Sequence, residues 1–277
     1  MLIKSFSKVN LTLKVISKSQ SRLHEIQSLY CWVNLFDKIE IKKIKNKDKI
    51  IFKGPFAKFI KKKNNSVYNL LKELRKLNLI SDYYSITITK NIPVFGGLGG
   101  GTSNAAFIMK YLLKNKINFN LINKLKKSIG SDLPLFWIKQ GFLKNLRTVI
   151  SLEKKQQFFF VLIQPKIICS TKEIYSKVKK LSKKENLNHY TFKHRGKFIN
   201  YLCKNRNDLQ FIVERKYPIV KKLLTDIKNE QGCYFSRMTG SGSVCYGLFE
   251  DQIIAKKALN KLKNMYPKFW FSLAKTV

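Results

Sequence analysis

Acidic residues are scarce in this sequence of 277 residues, with 16 Asp and Glu against 55 Lys and Arg. The net charge of +39 raises the hypothesis of a nucleic-acid partner. Arginine is scarce as well, however, with 7 residues against 48 lysines spread along the whole chain. Because proteins that read nucleic acid favour arginine for bidentate contacts, we interpret the lysines as a solvated surface that still attracts an anionic substrate. A basic nucleic-acid-binding protein stays open as an alternative.

The five cysteines form no metal-binding or disulfide pattern, because they are scattered, odd in number and without a Cys-x-x-Cys pair. They predict reduced thiols in a cytoplasm. The sequence contains no run of about 18 or more apolar residues, so we expect no membrane-spanning helix. The first residues, "MLIKSFSKVNLTLKV", lack the apolar core and cleavage site of a signal peptide. With 44% hydrophobic residues, the chain predicts a globular cytoplasmic protein with a sizeable core.

Apolar periodicity predicts both strands and helices. Strands are expected where apolar residues alternate or where β-branched and aromatic residues cluster, at 1–16, 30–44, 84–94 and 157–165. Helices are expected where apolar residues recur at spacings of three and four, at 64–78, 103–115 and 120–130. Ser66 is the expected N-cap of the first helix. The simplest division is two halves, 1–152 and 153–277.

The stretch "PVFGGLGGGTSNAA" (93–106) places five glycines in the six positions from Gly96 to Gly101. A glycine-rich turn between a strand and a helix is typical of a phosphate-binding site, because the backbone approaches the ligand and the helix N-terminus attracts anions. Thr102 and Ser103 add hydroxyl groups that could donate hydrogen bonds or bind Mg²⁺. The loop contains no Gly-Lys-[Ser/Thr], which excludes a Walker A motif, and a Rossmann loop would need an acidic residue about 20 positions later. A flexible loop without a ligand is the remaining alternative.

The same stretch resembles the Pro-x-x-x-Gly-Leu-Gly-[Ser/Thr]-Ser-[Ser/Ala] phosphate loop of the GHMP kinases. Further stretches resemble motifs of that family in the same order: "SFSKVNLTLKV", "RLHEIQSLYCWVNLFDKIEI", "IGSDLPLF", and "NDLQ" with "RMTGSGSVCYGLF". The resemblance covers nearly the whole chain. It implies an α+β, two-domain GHMP kinase fold, with a ribosomal protein S5 domain 2-like N-terminal domain, an α/β C-terminal domain and the active site in the cleft between them.

The form "GGLGGGTSNAA" is similar to the branch that acts on 4-diphosphocytidyl-2-C-methyl-D-erythritol in non-mevalonate isoprenoid synthesis. The resemblance implies phosphorylation of the 2-hydroxyl of this small molecule, with ATP and Mg²⁺ as cofactors. It implies a monomer or weak homodimer that binds neither a membrane nor a specific nucleic acid. Another GHMP-type kinase, such as homoserine kinase, is the alternative within the family.

The resemblance also implies a role for individual residues. Asp132 corresponds to the base that accepts a proton, although an aspartate after a helix end could also be a simple cap. Lys8 corresponds to a cation beside that base, where it keeps the carboxylate ionised and stabilises the transferring charge. The residues implied to bind the ATP phosphates are Pro93, Val94, Phe95, Gly96, Gly97, Leu98, Gly99, Gly100, Gly101, Thr102 and Ser103.

Five residues are expected to bind the phosphate acceptor: Asn10, His24, Tyr175, Thr239 and Gly240. His24 and Tyr175 match positions that bind and stack on cytosine, and they argue against homoserine, which needs no stacking site. Asn10 lies on the same strand face as Lys8. Thr239 and Gly240 belong to "TGSGS", which could otherwise be a tight hairpin.

Three positions depart from the family pattern. Leu23 stands where the family has a tyrosine, and Phe95 replaces the first glycine of the loop. The stretch after Gly141, "FLKNLRTVISL", contains neither the glycines nor the acid that the family usually shows there.

Overall fold

A computed structural model of the protein describes residues 2–18, 24–61, 63–187, 192 and 194–277. Its strands, in chain order, are β1 Leu2–Asn10, β2 Lys14–Ser17, β3 Glu25–Ile44, β4 Lys49–Lys53, β5 Tyr83–Thr89, β6 Gln140–Asn145, β7 Thr148–Ser151, β8 Phe159–Gln164, β9 Cys233–Met238, β10 Cys245–Phe249 and β11 Trp270–Lys275. Its α-helices are α1 Ser66–Lys76, α2 Gly100–Leu113, α3 Phe119–Ile129, α4 Thr171–Ser176, α5 Arg195–Lys204, α6 Gln210–Lys216, α7 Pro218–Lys228 and α8 Gln252–Met265. The predicted α+β class is confirmed.

The predicted N-cap of the first helix is wrong by one residue. The side chain of Asn65 accepts the first free N–H groups of α1, whereas the Ser66 hydroxyl donates to the carbonyl of Ile129 at 3.0 Å. Ser66 is therefore committed to a tertiary contact instead of the cap.

The strand predicted at 84–94 ends earlier, at Thr89. The N–H groups of Asn91 and Ile92 donate to the side-chain carboxylate of Asp37 on β3 and not to a backbone carbonyl of that strand. The next residue, Pro93, has no N–H to continue a ladder.

The chain divides into two compact units that are each discontinuous in sequence. Unit 1 comprises Met1–Ser7, Leu35–Val94 and Gly99–Trp137. In it, β5 lies between β4, which is parallel, and the second half of β3, which is antiparallel. Helix α1 packs against α2 and α3. The core consists mainly of aliphatic side chains from these elements: Ile39, Ile41, Leu70, Leu74, Ile86, Ile88, Ile108, Met109, Ile122 and Leu125.

Unit 2 comprises Lys8–Asn34, Phe95–Leu98 and Ile138–Val277. Its four-stranded antiparallel sheet has the order β11-β8-β10-β9. Val161, Leu162 and Ile163 are consecutive and fully buried, so both faces of β8 are shielded from water, and helix α8 packs against this strand. The prediction of a buried strand here is confirmed. The first half of β3 pairs with β2 and β6, and β6 pairs with β7.

The boundary predicted between residues 152 and 153 stays a prediction, because the two compact units are defined by packing contacts and not by family domains. All five cysteines are free thiols. Among the helices that the described residues form, none has the length and apolar character needed to cross a membrane.

Candidate active site

The N-terminus of α2 provides free backbone donors within the glycine loop. Gly99 is the N-cap residue, in a left-handed conformation with φ of 71°, and it has no side chain with which to accept the N–H groups of the first turn. By contrast, Asn65, Asn118 and Asp251 cap α1, α3 and α8 with their side chains. Since Gly99 to Thr102 are all at least partly exposed, this helix end can bind an anion through N–H groups and the helix dipole.

The earlier part of the loop requires glycine for steric reasons. Gly97 has a φ of 72°, and a Cβ atom added to it would lie 2.1 Å from the carbonyl oxygen of Thr239. The N–H groups of Ser243 and Val244 donate to the carbonyls of Phe95 and Gly96 at 3.0 and 3.3 Å. Residues 95–97 at the start of the glycine loop are therefore in direct backbone contact with residues 239–244 within unit 2.

The two loop hydroxyls lie in different environments. Ser103 is fully buried, donates to the carbonyl of Phe6 at 2.5 Å and lies 2.7 Å from the hydroxyl oxygen of Ser5. Its hydroxyl thus fastens α2 to β1. Thr102 is half-buried, and its Oγ1 would lie 2.4 Å from a Cβ atom added to Gly130.

That contact brings the Asp132 segment against the beginning of α2. Helix α3 ends at Gly130, and the backbone of 130–132 turns into the short 3-10 helix Leu133–Trp137. Asp132 is half-buried, as the sequence led us to expect, and its carbonyl accepts the N–H of Leu135 at 3.0 Å. Within unit 1, the carboxylate of Asp132 therefore follows two residues after a glycine that lies against Thr102.

Lys8 is only 3% exposed, which is unusual for a lysine. Its ammonium donates to Asn10 Oδ1 at 2.6 Å and to the carbonyl of Gly97 at 3.0 Å, and its backbone N–H donates to Leu98 at 3.1 Å. One cation is therefore fixed against the glycine loop within unit 2. A fixed, desolvated cation stabilises developing negative charge more strongly than a solvated one.

Asn10 and Thr239 hold one another and Lys8 in place. The N–H of Asn10 donates to Thr239 Oγ1 at 3.0 Å, and Asn10 Nδ2 donates to Ser28 Oγ at 2.8 Å. The Thr239 hydroxyl in turn lies 3.3 Å from the carbonyl of Gly97. The structure thus brings together Lys8, Asn10 and Thr239, three of the residues that the sequence singled out.

Asn207, the first residue of "NDLQ", supports the second glycine turn. Its Nδ2 donates to the carbonyls of Met238 and Gly240, each at 2.8 Å. The sequence motif "NDLQ" indicated family resemblance but no site role for Asn207. The buried Ser28 was also missed, since nothing distinguishes one serine in an apolar strand.

His24 and Tyr175 form an aromatic pair, with ring centroids 5.2 Å apart and planes inclined by 39°. Both side chains are half-buried. Partial burial lowers the pKa of His24 from its usual value of 6.5, and the positive charge of Lys18 lowers it further. The imidazole is therefore neutral at pH 7 and can accept or donate a hydrogen bond beside a stacking ring.

Helix α4, which carries Tyr175, is tied to the second glycine turn by a hydrogen bond of 2.8 Å between the hydroxyls of Thr171 and Ser241.

Of the departures from the family pattern, Phe95 is half exposed and adopts a φ of 55°, a left-handed conformation in which glycine is favoured. Leu23 lies outside the described residues.

Asp37, Lys90 and Asn104 form a buried polar cluster that the sequence analysis did not identify. Lys90 pairs with Asp37 and donates to Asn104 Oδ1 at 2.8 Å. Lys90 lies three residues before the stretch 93–106, but one lysine among 48 gives no signal by itself.

Comparison with protein families finds GHMP kinases at both ends of the chain. The GHMP kinase N-terminal domain matches residues 65–135, and the GHMP kinase C-terminal domain matches residues 184–268. The first match includes the glycine loop and Asp132, and the second includes the turn at 239–243.

Two curated proteins named 4-diphosphocytidyl-2-C-methyl-D-erythritol kinase match over nearly their full length. The protein of Pelagibacter ubique (strain HTCC1062) is 34% identical over 286 residues, covering 99% of this chain and 98% of that protein. The protein of Anaplasma marginale (strain Florida) is 30% identical over 273 residues, covering 95% and 93%.

Solved structures show the same fold. A crystal structure of 4-(cytidine 5'-diphospho)-2C-methyl-D-erythritol kinase superposes with a TM-score of 0.74, at 22% identity and 99% coverage of both chains. Homoserine kinase from Cytophaga hutchinsonii gives 0.67 at 17% identity, covering 100% of this chain and 94% of that one. The expected two-domain GHMP kinase fold is thereby confirmed.

Proposed function

Because the chain belongs to the 4-diphosphocytidyl-2-C-methyl-D-erythritol kinase family, a branch of the GHMP kinases, we propose that it phosphorylates the 2-hydroxyl of 4-diphosphocytidyl-2-C-methyl-D-erythritol with ATP. The observation that carries this proposal is the 34% identity to a kinase of that name over 99% of the chain. The alternatives, homoserine kinase and a nucleic-acid-binding protein, are not favoured by these relatives.

The residues of the loop fit the triphosphate of ATP. The N-cap residue Gly99 has no side chain, so the backbone N–H groups at the N-terminus of α2 have no side-chain cap. The first turn of this helix is accessible. Bound there, ATP supplies the γ-phosphoryl group and the ADP leaving group. Gly99, Gly100, Gly101 and Thr102 would hold the phosphates through N–H groups, and the fixed ammonium of Lys8 would offset negative charge.

Mg²⁺ is the second expected cofactor, since it would neutralise negative charge on the phosphates during phosphoryl transfer. Of the two loop hydroxyls, Thr102 is the better candidate to contact it. Ser103 donates to a backbone carbonyl and is fully buried, so its hydroxyl serves the packing of α2.

Asp132 is the proposed base. Its carboxylate takes the proton of the 2-hydroxyl while the hydroxyl oxygen forms a bond to the γ-phosphorus and the bond to the ADP oxygen breaks. His24 and Tyr175 bind cytosine by hydrogen bonding and stacking, which places the methylerythritol hydroxyl for attack. Asn10 and Thr239 hold Lys8 in place, and together with Gly240 they border the acceptor.

The proposal is tested by measuring ADP formation by the purified protein with three acceptors: 4-diphosphocytidyl-2-C-methyl-D-erythritol, homoserine and mevalonate. We expect turnover with the cytidine substrate alone and a product phosphorylated at the 2-hydroxyl. Asp132→Asn protein and reactions without acceptor measure background ATP hydrolysis. Turnover of homoserine or mevalonate, with none of the cytidine substrate, would contradict the proposed acceptor but not the kinase class.

A further inference from the structure

A single carboxylate contacts the chain on both sides of the phosphate loop. Asp37, on β3, is fully buried. Its Oδ1 accepts the N–H groups of Asn91 at 2.7 Å and of Ile92 at 2.9 Å, immediately before the loop. Its Oδ2 accepts Nδ2 of Asn104 at 2.9 Å, in the second turn of the helix that follows the loop. The backbone that enters the loop and the helix that leaves it therefore share one anchor.

Lys90 completes this anchor beneath the first residue of α2. Its ammonium pairs with Asp37 and donates to Asn104 Oδ1 at 2.8 Å. The same Nζ would lie 3.5 Å from a Cβ atom added to Gly100. Asn104 Nδ2 also donates to Ser5 Oγ at 3.1 Å, which extends the network to β1. The positive end of the ion pair thus lies next to the helix terminus that is proposed to bind the phosphates.

Stability alone is a weak explanation for this arrangement. Removing an ion pair from water costs several kcal/mol per ion, and apolar residues of similar volume often stabilise a core equally well. A phosphate-binding loop rich in glycine, however, has many accessible conformations, and ordering it upon binding reduces affinity. Fixing both ends of the loop in the free protein lowers that cost.

We propose that Asp37, together with Lys90 and Asn104, positions the phosphate loop and thereby sets the affinity for the nucleotide without contacting it. This inference rests on the proposed function only in assigning nucleotide phosphates to the loop. Asp37 acts through the backbone of 91–92 and through Asn104, so its loss affects ATP binding and leaves acceptor binding unchanged.

The chain offers a matched control at the other end of β5. Asp48 accepts two hydrogen bonds from the guanidinium of Arg75, at 2.6 and 3.0 Å, and one from the N–H of Tyr84 at 2.8 Å. It is also a carboxylate that joins a cation to a backbone N–H group within unit 1. None of these contacts involves the loop or α2.

The test compares ATP binding by the wild-type, Asp37→Asn and Asp48→Asn proteins, measured by calorimetry with ATP and no acceptor. We expect Asp37→Asn to raise the Kd for ATP by about tenfold or more, which corresponds to ~1.4 kcal/mol, and Asp48→Asn to change it by less than about threefold. The KM for the acceptor should stay unchanged in both variants. A Kd of Asp37→Asn within about threefold of wild type, or an equal loss in both variants, overturns the inference.

Asp37→Asn leaves Lys90 buried without a counter-charge and could unfold the protein. The double variant Asp37→Asn, Lys90→Met removes both charges and is used in that case, with circular dichroism to verify folding. If the folded double variant binds ATP with the same Kd as the wild-type protein, the inference is overturned. A higher Kd for ATP supports it. Wild-type protein that fails to bind ATP would instead contradict the proposed function.

Discussion

His24 and Tyr175 face each other across 5.2 Å, although one residue precedes β3 and the other lies on the short helix α4. The pair combines a ring that stacks with an imidazole that hydrogen-bonds. It is a suitable site for a pyrimidine base, because base–aromatic stacking contributes roughly 1–3 kcal/mol.

Replacing Tyr175 by alanine should therefore weaken binding of the cytidine substrate selectively. We expect the KM for this substrate to rise by about tenfold or more, in line with the loss of one stacked base, while the KM for ATP changes little. Tyr175→Phe keeps the ring and should remain near wild type in steady-state kinetics. Equal increases of both KM values would indicate a general defect of folding and contradict the stacking role.

The pKa of His24 predicts a pH dependence of acceptor binding. Its pKa in the folded protein is lowered from 6.5, first by burial and second by Lys18. A depressed pKa means that the folded state disfavours the charged form. The contribution of His24 to the stability of the folded protein should therefore be complete above pH 6.5 and be lost as the pH falls through the folded-state pKa. Cytosine binding should show the same pH dependence.

Nuclear magnetic resonance titration of the His24 ring measures this pKa directly. Lys18→Met should raise it, since a nearby positive charge is removed, and the rise in acceptor KM should move to higher pH in parallel. A His24→Gln variant should lose the pH dependence in this range. An unchanged titration midpoint in Lys18→Met would show that burial alone lowers the pKa.

Charge placed in the phosphate loop should block nucleotide binding without unfolding the protein. A Cβ atom at Gly101 would meet only Ser66 Oγ, at 3.4 Å, which is ordinary contact. Gly101→Asp introduces an anion where the phosphates are proposed to bind, and an acidic residue in the first turn favours the helix. We expect the Kd for ATP to rise by about tenfold or more, against a smaller rise for the neutral Gly101→Asn. Equal affinities of both variants would contradict phosphate binding at this turn.

Asp132 and Lys8 are proposed to act on the chemical step. Asp132→Asn keeps the shape of the side chain but cannot take a proton, so kcat should fall by about 10²–10⁴-fold while both KM values stay within a few-fold. Lys8→Met should lower kcat as well. If the two residues act as a unit, the double variant should be less impaired than the product of the two losses. An Asp132→Asn enzyme with more than roughly a tenth of the wild-type kcat would rule out its role as the base.

Lys114 offers a test of backbone strain outside the site. At the end of α2 it adopts φ of 47° and ψ of −117°, a conformation that side chains disfavour. Lys114→Gly should raise the free energy of unfolding by about 1 kcal/mol in urea titrations. Lys127→Gly, at an exposed position inside α3, should lower it by a similar ~1 kcal/mol. A loss of stability in both variants would show that Lys114 is not strained.

Local sequence alone predicted the elements that depend on periodicity and the loop that depends on composition. The spacing of Leu70, Leu71 and Leu74 gave α1, and the apolar run around Val161 gave β8, because each pattern reflects burial of a particular face or of both faces. The glycines of 96–101 indicated a phosphate site since few other uses require so many. Even here Ser66 was mistaken for the cap, because a distant carbonyl, that of Ile129, binds its hydroxyl.

Only the tertiary structure decided how these parts are held. Asp37 and Lys90 are 53 positions apart, and Asn207 and Gly240 are 33 positions apart, yet each pair is in direct contact. A local pattern cannot reveal such contacts, because it reports which face of a helix or strand is apolar and not which polar groups meet after folding. One buried lysine and one buried aspartate look like any others in sequence. Burial removes their competing water and makes their pairing specific.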